Sequence, residues 1–558
     1  MMDFVYGLLL FLLMLNLLLG LVRVFRGPEL VDSMMASLLL GTGGTALLLA
    51  FFKITKEAYY INLALGFALL AALVPLLYLF NLGSFQVWSP NEAFYADSAR
   101  TMIKSGNFID PYYNGELRLN KPPMTYWLVA FGYYLLGINE WGLRLMHALL
   151  GLMTGIITLL MAKELTGSYK VGIFSFLMLT LSVQFFANSQ YASPEVPFTF
   201  FITLSLYLWL MSYKRNSFIL LLFAFLSSSC AMLVKGPAGF VLPAGIVFLY
   251  LLFTDPKELL KVRYYLLSFV SLILGLWWHA YELFTKGSFF WELFQKENLK
   301  RVYDGKDPFY FYLLDLNVSF LPYAFLFFFA FLWVVLKIKR EYALPMVWFL
   351  LVYGIFSLVA QKIPVYVLPA FPALAIMTSG FMLSQDWERL KRYATLLLLV
   401  LISTALAVGI FIFSMPLAFL LLIPIPFLLF LKDHRLSPAL AGIMFIVLLK
   451  FVLLTNLEEK RKAKELGEFI KLLDPKSSML VYEVGHFHHS LPFYAERRII
   501  RDKEPQKGSI VVYKSGTFEK CQPIKSFRLY TGSESRLFKL LMDARKGKNF
   551  EDFFVCIY

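Results

Sequence analysis

Charge is scarce in this chain of 558 residues: Asp, Glu, Lys and Arg make up 16% of it and hydrophobic residues 59%, where an ordinary soluble domain carries about 25% charged and about 45 to 50% apolar residues. So thin a polar coat excludes one soluble globule of this length. Cysteine is scarcer still, with three residues in all. Cys230 lies in an apolar run and Cys521 and Cys556 in the tail, too few for a disulfide framework or a thiolate metal cluster, though one bridge in the tail stays open. A contiguous basic groove is also missing. The net charge of +15 is spread over short loops and the tail, which argues against nucleic acid as a partner. The apolar runs do not alternate in and out, which excludes a closed β-barrel.

What is present is a succession of apolar runs. "NLALGFALLAALVPLLYLF" and "ATLLLLVLISTALAVGIFIF" are each long enough to cross roughly 30 Å of hydrocarbon as helices. About fifteen such spans are expected, near 4–22, 33–52, 61–82, 141–163, 170–188, 196–213, 217–234, 238–253, 264–282, 316–336, 343–360, 364–384, 393–413, 416–431 and 437–455. The first, "MMDFVYGLLLFLLMLNLLLG", lacks the basic leader and small-residue cleavage site of a removable signal, so it reads as a retained helix. With a cytoplasmic N-terminus, the inner loops collect Lys53, Lys56, Lys170, Lys214, Arg215, Lys337, Lys339 and Arg340, the positive-inside pattern; Arg23 and Arg26 run against it locally. The loops 83–140 and 283–315 and the tail from about 457 then lie outside. In the tail, "EEKRKAKELGEFIKLL" and "SRLFKLLMDARKG" read as helices and "SMLVYEV" and "GSIVVYK" as strands. The expected fold is an α-helical polytopic membrane protein with a small C-terminal α/β extracytoplasmic domain. His486, His488 and His489 lack a second ligand cluster, so a solvated strand-to-helix turn is favoured over a metal site.

The first outer loop carries "SPNEAFYADSARTMIKSGNFIDPYYNGELRLNKPPMTYW". Ser89, Pro90 and Glu92 have the spacing of a capping box, with a helix running to about Lys104 and ending near Gly106. Glu92, Tyr95, Ala99 and Met102 would share one face and Asp97, Arg100 and Lys104 turn elsewhere, as in an amphipathic helix on the membrane surface. "NGE" signals a turn, and "KPP" sets Lys121 at a stiff corner from which a second helix starts. Lys121 reads either as a snorkelling headgroup contact or as a cation aimed at a phosphate. Glu195 in "YASPEVPFTFF", Lys235 in "LVKGPAG", and Lys362 with Tyr366 in "AQKIPVYVLPAFPALA" sit at outer membrane edges. Ionisable groups at bilayer depth cost about 2.5 to 3.5 kcal/mol on insertion scales, and four on one side favour a shared cavity. The second outer loop carries Glu297, Asn298, Lys300, Arg301 and Tyr303, of which Arg301 reads as either a bidentate phosphate contact or a rim salt bridge. His279 is a packing or interfacial residue.

Taken in order, "SPNEAFYADSARTMIKSGN", "NGELRLNKPPMTYWL", "LRLMHALLG", "YASPEVPFTFF", "LVKGPAG", "ENLKRVYDG" and "QKIPVYVLPAFPALA" resemble the GT-C fold membrane glycosyltransferases, over about residues 60–500. The branch is the bacterial one of lipid A aminoarabinose transferases and protein O-mannosyltransferase-like enzymes. The resemblance implies sugar transfer from a polyprenyl phosphate donor to a lipid, glycan or protein acceptor outside the cytoplasmic membrane, among membrane lipids. It also implies about thirteen core spans. The family's first loop commonly carries Asp-Glu; here the pair is Asn91-Glu92, and a later Asp is replaced by Glu195. The implied catalytic set is therefore Glu92 or Glu195 as base or acceptor-orienting carboxylate, with Asn91 able to bind a hydroxyl and unable to take its proton. Lys121, Lys235, Arg301 and Lys362, with Tyr366, are the implied donor-phosphate residues. No cofactor is required, and two outer carboxylates could help hold a divalent metal. The Asn91 departure leaves three readings: a shifted role for Glu92, an anionic phosphate acceptor that needs no base, or an inactive scaffold.

Residues 1–60, with likeness reaching about 82, form a separate unit ahead of a transferase domain at 61–456 and the tail domain at 457–558. "LVRVFRGPELVDSMMASLLLGTGGTALLLAFF" resembles the F subunit of multisubunit sodium/proton antiporters. That keeps a transporter component as the alternative, with Asp32 as an ion-site candidate or an interfacial acid near Arg26.

Overall fold

The computed structural model describes residues 74–412, parts of 442–450, and 454–558 apart from 519, 535 and 536. The antiporter-like segment with Asp32, most of the span near 61–82, the span near 416–431 and much of that near 437–455 lie outside these residues.

Six helices among the described residues are long and apolar enough to cross a membrane: Glu140–Thr166, Glu195–Arg215, Phe218–Lys235, Val262–Lys286, Arg340–Leu358 and Pro364–Leu383. Each coincides with an expected span. Large apolar side chains such as Leu266, Phe269 and Ile273 on Val262–Lys286 stay exposed, as side chains solvated by lipid tails do. Pro364–Leu383 is the central element, with 89% of its apolar window buried.

Two expected spans are broken, for a shared reason. The run near 170–188 forms Tyr169–Thr180 and Val183–Ser189, bent by 69°, and the run near 316–336 forms Phe311–Ser319 and Ala324–Leu336. Pro322 has no N–H to continue its helix. The Leu321 carbonyl beside it accepts the Val183 N–H at 2.8 Å, so each break satisfies a backbone group freed by the other.

The first outer loop folds much as its punctuation implies, with one correction. Its helix spans Asn91–Ser105 and ends at Gly106, whose φ of 73° is the left-handed conformation that glycine adopts freely. "NGE" closes a hairpin of β1 (Tyr112–Tyr113) and β2 (Glu116–Leu117), and Pro122-Pro123 leads into the helix Met124–Leu136. The expected polar face is not free. Asp97 and Arg100 are buried along with Glu92, Tyr95, Ala99 and Met102, because one side packs on Tyr126, Val129 and Tyr133 and another on Phe493 and Tyr494 of the tail.

The tail holds a five-stranded sheet in the order β4-β3-β5-β7-β6, made of β3 (Val481–Val484), β4 (Ile499–Ile500), β5 (Ile510–Lys514), β6 (Lys525–Tyr530) and β7 (Phe550–Ile557). β4, β3 and β5 run parallel, and β7 is antiparallel to both β5 and β6. Leu466 and Ile470 of the helix Ala463–Leu473 pack on Val481, Ile510 and Val512. Cys521 and Cys556 are joined by a disulfide. The tail is fastened to the loop by Arg461, 4% exposed. Its guanidinium pairs with Glu534 and Glu458, donates to the Gln86 and Val87 carbonyls, and lies 4.3 Å from the centre of the Trp88 ring. Asn114, at the hairpin tip, exchanges two hydrogen bonds with Ile499 of β4, at 2.7 and 2.9 Å.

Candidate active site

Five of the expected site residues, Glu195, Lys235, Tyr366, Arg301 and Lys121, converge at one end of the spans. Glu195 opens the helix Glu195–Arg215 directly after Pro194, and Lys235 closes the neighbouring helix Phe218–Lys235. Their side chains form a tight ion pair through Glu195 Oε2, while Oε1 accepts no hydrogen bond from the described residues. Lys235 Nζ also stands 4.6 Å from the centre of the Tyr366 ring. The Tyr366 hydroxyl accepts from Arg301 at 2.5 Å, and the other arm of Arg301 donates to Glu297 Oε2 at 2.7 Å. Glu297 sits in a π-helical turn, Gln295–Leu299, a local unwinding that recurs at functional sites. It faces Lys121 Nζ at 3.5 Å and accepts from Asn120 at 3.2 Å.

The result is an unbroken polar chain, Glu195, Lys235, Tyr366, Arg301, Glu297 and Lys121. Three cations and two carboxylates leave one positive charge in excess. Lys121, Lys235, Glu297 and His279 line a narrow cleft of about 10 Å³, room for about one water. Burial lowers the Lys121 ammonium to about 8, and the facing Glu297 opposes that shift. An anion with several acceptor oxygens could take over the donors that Glu297 now holds, at Lys121 and Arg301.

The remaining expected residues go elsewhere. Lys362 does not line the cleft: its Nζ donates to the carbonyls of Val359 at 2.6 Å and Asp307 at 3.2 Å, and its N–H donates to Asp307 Oδ2 at 2.9 Å. With the Gln361 N–H bonded to the Arg301 carbonyl at 3.0 Å, this segment straps the second outer loop down and positions Arg301. Asn91 is exposed, its amide against the Tyr191 hydroxyl.

Glu92 has no free acceptor. It is 0% exposed, takes Arg144 Nε at 2.8 Å and Nη2 at 2.7 Å, and also accepts the Trp88 and Ala192 N–H groups at 2.9 Å each. The expected capping box is therefore not formed. Glu92 caps Trp88 in place of Ser89, and the Ser89 N–H goes to Glu534 of the tail at 2.6 Å. Nor do the residues fit a divalent metal: Glu92 is spent on Arg144 and Glu195 on Lys235, and the described residues contain no cluster of three or more His, Cys, Asp or Glu able to hold one.

Sequence reasoning missed Arg144, 0% exposed, which also donates to the carbonyls of Leu82, Phe85 and Gln86. Its signal was an arginine inside the apolar run "WGLRLMHALLG", where an ion needs a partner. Arg118, stacked 3.7 Å over the Phe94 ring with a buried, unpartnered Nε, gave no such signal.

The fold is that of the GT-C membrane glycosyltransferases. The protein matches the crystal structures of ArnT from Cupriavidus metallidurans, bound to undecaprenyl phosphate and in the apo state, with TM-scores of 0.72 and 0.71, 18% identity, and coverage of 87% of this chain and 97% of that one. Residues 63–294 match the family model for dolichyl-phosphate-mannose-protein mannosyltransferase. The likeness to these structures is one of fold, and the family model covers less than half of the chain. A relative without an assigned function, from Aquifex aeolicus, is 51% identical over 88% of this chain and 99% of its own length. Two undecaprenyl phosphate-α-4-amino-4-deoxy-L-arabinose arabinosyl transferases of Pseudomonas fluorescens are each 30% identical over 58% and 54% of this chain. This chain spans 59% and 54% of their lengths.

Proposed function

We propose that the protein transfers a sugar from a polyprenyl phosphate donor to a lipid acceptor on the outer face of the cytoplasmic membrane. The observation that carries this reading is the convergence of Lys121, Lys235, Arg301 and Tyr366 on one cleft edge beside a carboxylate with an open oxygen. Lys121 and Arg301 exchange Glu297 for phosphate oxygens, and the cations stabilise the polyprenyl phosphate as it departs. Glu195 Oε1 receives the acceptor's proton or orients the acceptor. The tail disulfide, a bond that persists in oxidising compartments, and the inner-loop lysines and arginines support an outward-facing site.

The competing transporter reading expects acids at broken helices near mid-membrane. The break between Thr180 and Val183 is Leu181-Ser182 and carries none. The deciding experiment incubates purified protein with radiolabelled polyprenyl phosphate sugars and membrane lipid; transfer supports the proposal. No transfer with any donor, alongside proton-coupled ion flux in vesicles, replaces it with the transporter; absence of both leaves the scaffold.

The Lys121 ammonium adds a pH signature. A lysine lowered to about 8 carries its charge below that pH and loses it above, so affinity for undecaprenyl phosphate falls as pH rises from 7 towards 9. Lys121→Arg flattens this profile, because a guanidinium stays charged throughout. Equal slopes in the two proteins, measured by fluorescence titration in micelles, would remove Lys121 from the phosphate site.

A further inference from the structure

A second cavity, of about 170 Å³, lies where the tail meets the first outer loop. Ser89 and Pro90 form one wall and the histidine turn after β3 another. That turn leaves the carboxyl end of a strand with parallel neighbours on both sides, the edge at which open α/β sheets place ligands.

The turn is not solvated. His488 is 6% exposed and Glu483, in β3, 4%. Glu483 accepts the His488 N–H at 3.0 Å through one oxygen and pairs with ring Nδ1 through the other. These bonds fix the ring's orientation and leave Nε2 as its unused nitrogen. Nε2 is buried and has no partner, so a ring that lines the cavity carries a hydrogen-bonding atom the protein does not use. His489 is held in turn by the loop, through the Tyr113 hydroxyl on its carbonyl at 2.9 Å and Phe94 against its ring.

The wall's chemistry selects the ligand class. Arg461 is committed to Glu534 and Glu458, and Lys462 to Glu465. Burial holds His486 and His489 down to about 4, helped by His488 and by Arg501 respectively, so both are uncharged at neutral pH. Neutral imidazoles, the Ser89 hydroxyl and the Phe487 ring suit a hydroxyl-rich ring; an anion would call for a free cation in the wall. At about 170 Å³ the space is many times that of the narrow cleft that admits about one water, room for a small molecule such as one sugar ring.

We infer that this cavity is a carbohydrate site: it takes a single sugar ring, with His488 Nε2 hydrogen-bonded to a ring hydroxyl, and seats the carbohydrate headgroup of the acceptor beside the Asn91 end of the loop helix. The identity of that sugar as the acceptor's rests on the transferase reading; the existence of the site does not.

The test is saturation-transfer NMR on the full chain in micelles with the methyl glycosides of glucose, glucosamine, galactose and mannose, and a parallel titration with inorganic phosphate. At least one glycoside gives a signal with the wild type. It weakens at least tenfold in Ala463→Trp, which fills the cavity, and in His488→Phe, which keeps a ring and removes the hydrogen-bonding nitrogen, while undecaprenyl phosphate still stabilises both variants against heat. Should a variant fail to fold, His488→Gln serves in its place. Silence from all four glycosides with the wild type overturns the inference. So does a signal undiminished in Ala463→Trp, or phosphate binding that no glycoside displaces. Glycoside binding by a wild type that undecaprenyl phosphate does not stabilise would remove the transferase reading and leave the sugar site standing.

Discussion

Glu195→Gln is expected to lower sugar transfer about 10²- to 10⁴-fold, the usual contribution of a positioned general base, while tightening donor binding. The two effects have one origin. Glu195 Oε2 is committed to Lys235 and Oε1 is open, so the amide keeps the shape and can still accept from Lys235 but cannot take a proton. The same substitution removes a negative charge from beside the three cations of the cleft, which frees Lys235 for phosphate. A base therefore predicts a fall in kcat together with a lower Kd for undecaprenyl phosphate. A carboxylate that merely holds Lys235 in place predicts weaker donor binding and little change in kcat. Single-turnover transfer of a radiolabelled sugar, with donor binding measured on the same preparation, separates the two. Transfer within tenfold of wild type would mean that the acceptor arrives already ionised and needs no base.

Much of the architecture was legible because apolar length is a one-dimensional signal. Spans such as Glu140–Thr166 and Phe218–Lys235 need only enough apolar residues to cross the bilayer, and they fall where the sequence places them. The loop helix and its Gly106 stop were readable for a similar reason, since turn residues act locally. The broken spans were not, because the Val183 N–H finds its partner at Leu321, far away in sequence. The site divides along the same line. Glu195, Lys235 and Tyr366 were marked by charge or polarity at membrane edges and Lys121 and Arg301 by their places in the two long loops, and the fold brings them together. Glu297 was given no role from sequence, because its three partners Lys121, Asn120 and Arg301 come together only in the fold. Glu92 and Lys362 are instead taken up by partners outside the cleft, because nothing local in "SPNE" announces that an arginine 52 positions away will claim the carboxylate. The histidine turn looked solvated for a like reason: the surface that covers it comes from the loop residues Phe94 and Tyr113.

The Glu92–Arg144 pair sets the second large effect. Both side chains are 0% exposed, and removing one partner of a buried pair costs about 3–5 kcal/mol because the other charge is left without compensation. Arg144→Met is expected to lose stability on that scale. It strands Glu92 and also withdraws the donors that the Leu82, Phe85 and Gln86 carbonyls now use. The double variant Glu92→Leu with Arg144→Met should recover part of the loss, since apolar groups of similar volume carry no unpaired charge. Thermal unfolding of the purified variants in one detergent reads the stability, and transfer per folded molecule reads the chemistry. A structural clamp predicts that Glu92→Gln lowers the unfolding temperature and leaves transfer per folded molecule within tenfold of wild type. A catalytic base at Glu92 predicts the reverse, with unfolding unchanged and transfer down by about 10²- to 10⁴-fold. The two arms of the experiment place the lone acidic residue of "SPNE" either beneath the active site as its support or within it, and the four hydrogen bonds that fill its carboxylate favour the support.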